Sequence, residues 1–437
     1  MIFLKNNTNR LLPLLLAGWL LVGCSTRTYT PGPTINSAAF MKIVETLTAP
    51  EMEGRDAGTK GIDLARDYIV DRYKSLGLKP AFVIDGEPSY TQPLTVRTGR
   101  DEEGNPVHSP VENVGAILPG RGDLADEIIV IGAHYDHIGY GHFGSRDKNA
   151  KGHLHPGADD NASGTAGMLL LAEHFAQARM VASIHDDFLF GSLPRRTIFF
   201  TGFAAEERGL VGSKYMVQNP EQWAFDAEQV SGMINMDMIG RLRDRDLYIF
   251  TDNTGKQWRG WINAANGGVG LNLKWDVRPP GGSDHVVFIS VGIPAVFFNT
   301  WLHEDVHTPR DTADKINGKG GAMVVQVVAN LTEQAVTSYE RVTFVPPKPR
   351  PPRPYLGVKL GGHEAGVLLE DVAEKGPMEK AGAQNGDVLL SIGGKKTGSA
   401  GDVRAFLSKA KAGTKVKARV LRGDETLELT VLLGTRR

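Results

Sequence analysis

Two short stretches of the chain, Glu127–Ala133 (EIIVIGA) and Arg196–Ala204 (RTIFFTGFA), are apolar with almost no alternation. Runs of that length bounded by polar loops predict strands buried on both faces, the habit of a parallel sheet. Val230–Met236, Leu247–Thr251 and Ala295–Thr300 read as further strands, and Tyr90–Ile117 alternates as strands do. Between them the period changes. Thr165–Ala178 places Met168, Leu171, Ala172 and Phe175 on one side, and Lys319–Arg341 does the same with Val324, Val328, Leu331 and Ala335. Ala38–Leu78 reads as two helical pieces, the second with Ile62, Ala65, Ile69 and Tyr73 on one face, separated by the glycine-bearing loop Glu51–Thr59. Gly209–Gln218 and Ser283–Ser290 add shorter helices. Ile138–Pro156 is a Gly-, His- and Lys-rich loop, and Met180–Arg195 breaks the period as a surface insertion would. Strands alternating with helices predict an α/β fold, a three-layer sandwich with a mostly parallel central sheet flanked by helices.

Composition changes this picture little. The 437 residues suffice for two or three domains, and a net charge of −1 gives no pointer to nucleic acid or to an electrostatic membrane surface. The amino terminus reads as targeting rather than structure. Lys5 and Arg10 precede the apolar run Leu11–Val22, which is short for a membrane span and ends in Leu21-Val22-Gly23-Cys24. This ending resembles the lipobox of bacterial lipoproteins, with Cys24 lipidated after removal of residues 1–23. Ser25 then implies outer-membrane retention, so the resemblance implies an exported protein, lipid-anchored to the cell envelope and facing the periplasm. Cys24 is the sole cysteine, which excludes an intrachain disulfide. Residues 24–37 read as a tether.

The candidate chemistry centres on Gly157–Gly164 (GADDNASG), where two carboxylates sit between small residues ahead of a helix. Four motifs accompany it: HYDH (His134–His137), AAEE (Ala204–Glu207), NMDM (Asn235–Met238) and VHTPRDT (Val306–Thr312). Three of them lie just past the carboxyl ends of predicted strands, the edge at which open α/β sheets build their sites. Histidine nitrogens and carboxylate oxygens are the donors zinc takes, and two-metal hydrolases need one carboxylate that touches both ions. The set resembles the co-catalytic two-zinc aminopeptidases, relatives of glutamate carboxypeptidase II and the transferrin receptor, from about Glu51 to Arg341. The resemblance implies two Zn2+ per chain and Asp160 as bridging ligand. His134 and Asp237 would complete one site, and Glu207 and His307 the other. It further implies that Asp136 orients the His134 ring, that Glu206 is the general base, and that the Asp160–Asn161 peptide is cis. No tyrosine of this chain matches the family's oxyanion-stabilising residue. His137, His142, His153 and His155 read mainly as solvated loop, His303 is unassigned, and Ser283-Asp284-His285 lacks the Gly-x-Ser-x-Gly elbow of a serine hydrolase.

Val345–Pro354 (VPPKPRPPRP) reads as a semi-rigid linker after a 38–344 catalytic domain. Residues 355–437 resemble a bacterial PDZ domain, a small β-rich module, through YLGV and GPMEKAGAQNGDVLLSIGG. Tyr355, Leu356, Gly357 and Val358 would form the loop that holds a peptide or protein C-terminal carboxylate. The expectation is a lipid-anchored zinc exopeptidase, an aminopeptidase acting on peptide amino termini. The rivals are a carboxypeptidase of the glutamate carboxypeptidase type, for which Arg241, Arg278 and Arg310 would supply cations, and an inactive receptor or scaffold on the same fold.

Overall fold

In a computed structural model the described residues are 34–184, 194–275, 277, 282–347 and 353–436. Cys24, Arg278 and residues 1–33 lie outside them. The chain divides into two compact units, with the break between Pro346 and Pro347.

The first unit opens with α1 (Ser37–Leu47), whose start is fixed by the Asn36 side chain accepting from the Ala38 and Ala39 amides. A tight turn, Pro50–Arg55, leads to α2 (Lys60–Ser75). The strands that follow are β1 (Lys79–Pro80), β2 (Phe82–Ile84), β3 (Glu87–Ser89), β4 (Thr91–Arg100), β5 (Pro106–Leu118) and β6 (Ile128–His134). Next come α3 (Gly164–Ile184), β7 (Thr197–Phe203), α4 (Val211–Gln218), β8 (Val230–Met236) and β9 (Asp246–Phe250). The unit closes with α5 (Trp258–Asn266), β10 (Asn272–Lys274), α6 (His285–Ser290), β11 (Ala295–Asn299) and α7 (Gly318–Thr337).

Nine strands form one sheet in the order β1-β5-β7-β6-β8-β11-β9-β10, with β4 on β5. The centre is parallel, β6 pairing with β7 and β8, and β8 with β11. The margins are not, since β5 runs antiparallel to β7 and β9 to β11. The sheet is therefore mixed around a parallel centre. Alternate residues of the central strands feed two cores. Ile129, Ile131, Phe200, Ile234 and Met236 join the core built with α1, α2, α3, α5 and α7. Val130, Phe199, Phe203 and Met233 face Met216 of α4 and Phe288 of α6 on the other side. Every residue of β6, β7, β8 and β11 is buried, which is why their sequences show no polar face.

Several boundaries differ from expectation. The tether ends sooner, because Ile35 is buried and its amide donates to Gln326 Oε1. Helix α3 continues to Ile184, into the expected insertion, whose residues 185–193 lie outside the described set. The helix expected from Gly209 begins at Val211, since Gly209 and Leu210 have positive φ. The linker is shorter at both ends: the Val345 amide donates to Thr254 O in the first unit, and Arg353–Tyr355 is already a strand of the second. Among the described residues no helix is long and apolar enough to cross a membrane.

The second unit has its own core, including Leu356, Val367, Leu389, Val420 and Val431. Its elements are β12 (Arg353–Tyr355), β13 (Val358–His363), β14 (Gly366–Val372), α8 (Pro377–Lys380), β15 (Val388–Ile392), β16 (Lys395–Lys396), α9 (Ala400–Leu407), β17 (Lys415–Arg422), β18 (Glu425–Leu432) and β19 (Gly434–Arg436). Strand β12 pairs with β19, and the main sheet runs β13-β14-β15-β17-β18 with β16 on β15.

Candidate metal centre

The carboxyl ends of β6, β7, β8 and β11 lie along one edge of the sheet, and each delivers a piece of the site. His134 is the last residue of β6, Glu206 and Glu207 follow β7, and Asp237 follows β8. Asp160 comes from the irregular turn Ala158–Ser163 ahead of α3, and His307 from the loop after β11. The side chains expected from sequence converge. His134 Nε2 lies 3.5 Å from Asp160 Oδ1 and 3.5 Å from Asp237 Oδ1. His307 Nε2 lies 3.0 Å from Asp160 Oδ2 and 3.1 Å from Glu207 Oε2. Asp160 thus offers one oxygen to each cluster. The donor atoms of His134, Asp160 and Asp237 all fall within 4.8 Å of one another, as do those of His137, Asp160, Glu207 and His307.

His137 corrects the sequence reading. Its ring is fully buried, with Nδ1 2.9 Å from Glu207 Oε1. His155 is likewise buried, its ring nitrogens held by Ser145 Oγ and His153 O. Neither is solvated loop, because the loop from Ile138 to Pro156 folds against the site. Gly144 O lies 3.0 Å from His307 Nδ1, and the Arg146 amide donates to His307 O.

The backbone that carries Asp160 is fixed by polar contacts. Asp311 accepts from the Asp159 amide at 3.0 Å and the Asp160 amide at 3.1 Å. Asp159 Oδ1 accepts from the Gly240 amide, and Asp159 Oδ2 lies 3.2 Å from His303 Nε2, which gives His303 a partner inside the protein. Asn161 donates to Met236 O and accepts from the Met238 amide, so the turn is stitched to β8. The Asp160–Asn161 peptide is cis. Gly157 has φ 59°, and a side chain there would collide with the His137 ring. Asp136 accepts from the Glu206 and Glu207 amides at 2.9 and 3.3 Å, and its Oδ1 lies 3.6 Å from His134 Nδ1.

One residue that the sequence reading missed ties these pieces together. Arg55, in a loop recognisable only by its glycines, is fully buried. Its guanidinium donates to Tyr135 O at 2.8 Å, Leu47 O at 2.6 Å, Pro156 O at 2.8 Å and Gly157 O at 2.9 Å. One planar cation therefore links α1, the end of β6 and the turn before Asp160. Burial lowers the Arg55 guanidinium to about 10, against the pull of Asp136, Asp160, Asp311 and Glu207.

The electrostatics are those of concentrated negative charge. Burial disfavours the charge on His307, yet Asp160 and Glu207 outweigh it and hold the ring at about 11. Burial would raise Glu207, but His137 and His307 hold it well below the carboxylate range. Glu206 goes the other way. Burial raises it well above that range, and the neighbouring Glu207, Asp284 and Asp237 carboxylates add to the rise while His134 opposes it. Burial also pushes Asp284 up to about 7. Arg241, Arg310 and Lys315 all pair with Asp305, so these cations are engaged with a carboxylate of the protein.

A divalent ion with nitrogen and oxygen ligands fits this donor set. Two His/carboxylate groups share Asp160, and Asp237 Oδ1 and His137 Nε2 are buried without hydrogen-bond partners among the described residues.

In the second unit, Gly357 of the Tyr355–Val358 segment has φ 71°, and the Leu356 and Gly357 carbonyls accept from the Met378 and Ala373 amides. Val358 opens β13, the outer strand of its sheet.

Comparison with known proteins agrees with this architecture. The chain is 30% identical over 211 residues to a probable leucine aminopeptidase of Arthroderma otae, covering 47% of this chain and 52% of that protein. It is 28% identical over 217 residues to aminopeptidase YwaD of Bacillus subtilis, covering 47% and 40%. It thus spans about half the length, or less, of these relatives. An aminopeptidase from Aneurinibacillus sp. strain AM-1 has the same fold at 20% identity and a TM-score of 0.51, over 71% of this chain and 96% of that one. So has a glutaminyl cyclase of Fimbriiglobus ruber, at 18% identity and 0.52, over 70% and 97%. Residues 354–433 match the PDZ domain profile, which makes the second unit a PDZ domain. Residues 113–332, carrying every candidate metal donor, match the profile of peptidase family M28, and the chain belongs to that family.

Proposed function

We propose that the protein is a zinc-dependent aminopeptidase that holds two ions and releases residues from the free amino termini of peptides. The observation that carries this reading is the pair of donor clusters sharing Asp160. His134, Asp160 and Asp237 would hold one ion, and Asp160, Glu207 and His307 the other, with His137 fixing Glu207 or adding a donor. When bound, the pair would supply Lewis acidity toward a scissile carbonyl and toward a water.

The chain's own residues do the rest. Glu206 lies against the His134–Asp237 side, next to a ligand but outside both donor groups. Its carboxylate takes the proton of the attacking water and hands it to the departing amine. Asp136 keeps the Glu206 and Glu207 amides and the His134 ring in register, so the base and two ligands move as one piece. Of the three cations the carboxypeptidase reading needs, Arg241 and Arg310 are both paired with Asp305, which weighs against it, and Arg278 lies outside the described residues. An inert scaffold would not need Glu206 held beside a complete donor set.

The remainder of the proposal rests on sequence. Cys24, after its apolar run, would carry the lipid that holds the protein at the outer membrane facing the periplasm. The PDZ domain would take a peptide or protein C-terminus along β13 through Tyr355, Leu356, Gly357 and Val358. If so, Cys24→Ala moves the protein out of the salt-washed membrane fraction or blocks its processing; an unchanged product that stays fully membrane-bound after the wash contradicts the anchor. The activity is tested by offering matched peptides with a free or an acetylated amino terminus. Cleavage of the free peptides alone, from the amino end, is expected. Equal cleavage of the acetylated peptides, or release of carboxyl-terminal residues, rejects the aminopeptidase assignment.

A further inference from the structure

The PDZ domain carries a cationic surface that its peptide groove does not explain. Between Lys395 and Lys417 the sequence holds seven Lys and Arg residues and one acid, Asp402, in a chain whose net charge is −1. Asp402 is exposed but engaged, its carboxylate accepting from the Gly398 and Ser399 amides at the start of α9. Lys417 is paired with Glu428. Lys395, Lys409 and Lys411 are exposed and form no ion pair among the described residues.

These three lysines rim one cavity of about 250 Å³, whose apolar lining comes from Phe406, Ala410 and Val416. The cavity lies at the carboxyl end of α9, between β16 and the start of β17. A peptide could not be bound there by strand addition. Strand β17 is paired along both edges, with β15 and β18, and β16 is only two residues long, too short to template an added strand. Recognition must come from side chains: fixed positive charge around an apolar floor. That combination suits an amphiphile with an anionic head and a hydrocarbon body, presented many at a time.

We propose that this face of the PDZ domain docks on an anionic phospholipid surface, with Lys395, Lys409 and Lys411 on the phosphates and the Phe406–Val416 floor against the acyl boundary. The inference is independent of the aminopeptidase reading and of any lipid on Cys24. A single carboxylate would need one cation, whereas the local charge is a field of several, which is the form a lipid surface complements.

The test uses the chain from residue 25, which retains every described residue and lacks the apolar run before Cys24. Co-sedimentation is measured with vesicles of pure phosphatidylcholine and with vesicles containing one third phosphatidylglycerol. The expected result is binding to the anionic vesicles alone, falling at least tenfold between 50 mM and 500 mM salt as screening shortens. Lys395→Glu with Lys411→Glu should abolish it. Lys359→Glu with Lys375→Glu makes the same charge change elsewhere on the domain and should leave most of it. Equal binding to both vesicle types, or equal losses in the two double variants, overturns the proposal. So does a soluble acidic peptide with an apolar residue that binds at the same lysines while vesicles do not, since the partner is then a protein. Circular dichroism of each variant shows that the fold is retained.

Discussion

Replacing Arg55 with methionine keeps most of the side-chain volume and removes every donor. Four carbonyls lose a hydrogen bond from a charged group. Gly157 O keeps a second donor, the Ala162 amide at 3.1 Å. The carbonyls of Tyr135 and Leu47 are left behind in a buried region and that of Pro156 in a half-buried one. An unsatisfied buried acceptor costs about 1–3 kcal/mol, so the three, one of them partly solvated, cost roughly 2–8 kcal/mol. Removing a buried cation returns part of that, since burial already disfavours its charge. A net loss of about 4 kcal/mol is expected, against a total stability of about 5–15 kcal/mol for a domain. With a urea slope of about 2 kcal/mol per molar, the midpoint should fall by about 2 M. The loss should be larger without metal, because Arg55 is also a counter-charge for Asp136, Asp160, Asp311 and Glu207. Urea titrations of the metal-free and zinc-loaded protein, followed by circular dichroism, measure both effects. A midpoint within about 0.3 M of the parent in both states would refute the role given to Arg55.

Glu206→Gln keeps size and hydrogen bonding but cannot accept a proton. Turnover should fall by about 10²–10⁴-fold with zinc content unchanged, whereas Glu207→Gln should lose zinc as well; bound metal measured by atomic emission separates them, and the opposite pattern would mean the two roles are exchanged. His137→Ala should weaken one of two zinc ions by about 10–100-fold and leave the other, as read by competition with a chelator; two unchanged affinities would reduce His137 to packing. In the PDZ domain, Asp387 accepts from Arg422 Nε and Nη2 at 2.8 Å each and is held below the usual carboxylate range by them. A depressed carboxylate stabilises above its unfolded value near pH 3.9, and the contribution fades as pH falls through its folded value. Asp387→Asn should therefore lower stability at pH 7 and progressively less below about pH 4, in thermal melts that resolve the second unit.

The central strands were legible because burial on both faces removes any polar position, so their apolar runs stand out in one dimension. The parallel order at the centre follows from the intervening helices. The antiparallel placement of β5 and β9 does not, since it is settled by pairing between segments distant in sequence. Helix α5 escaped notice although Trp258, Trp261, Ile262 and Ala265 have helical spacing, because nine residues between glycine-bearing loops make a weak signal. The metal donors were readable because each chemistry-bearing residue sits in a compact local motif. The burial of His137, although it closes the HYDH motif, and that of Arg55 were not readable. The partner of His137 is 70 residues away, and those of Arg55 are as far as 102, so their burial is a property of the closed fold and not of the neighbouring sequence. In a polar loop, a histidine that will be buried looks like one that will be solvated.

The central claim is that two ions sharing Asp160 and a base at Glu206 act together on peptides with a free amino terminus. It is tested most directly by stripping the protein with a chelator and returning zinc stepwise while following hydrolysis of an aminoacyl anilide. The account predicts negligible turnover without metal, a maximum at two equivalents per chain, and turnover in Glu206→Gln at least about 10²-fold below the parent at every zinc level. Full activity in the stripped protein, or a maximum reached at one equivalent, would contradict it.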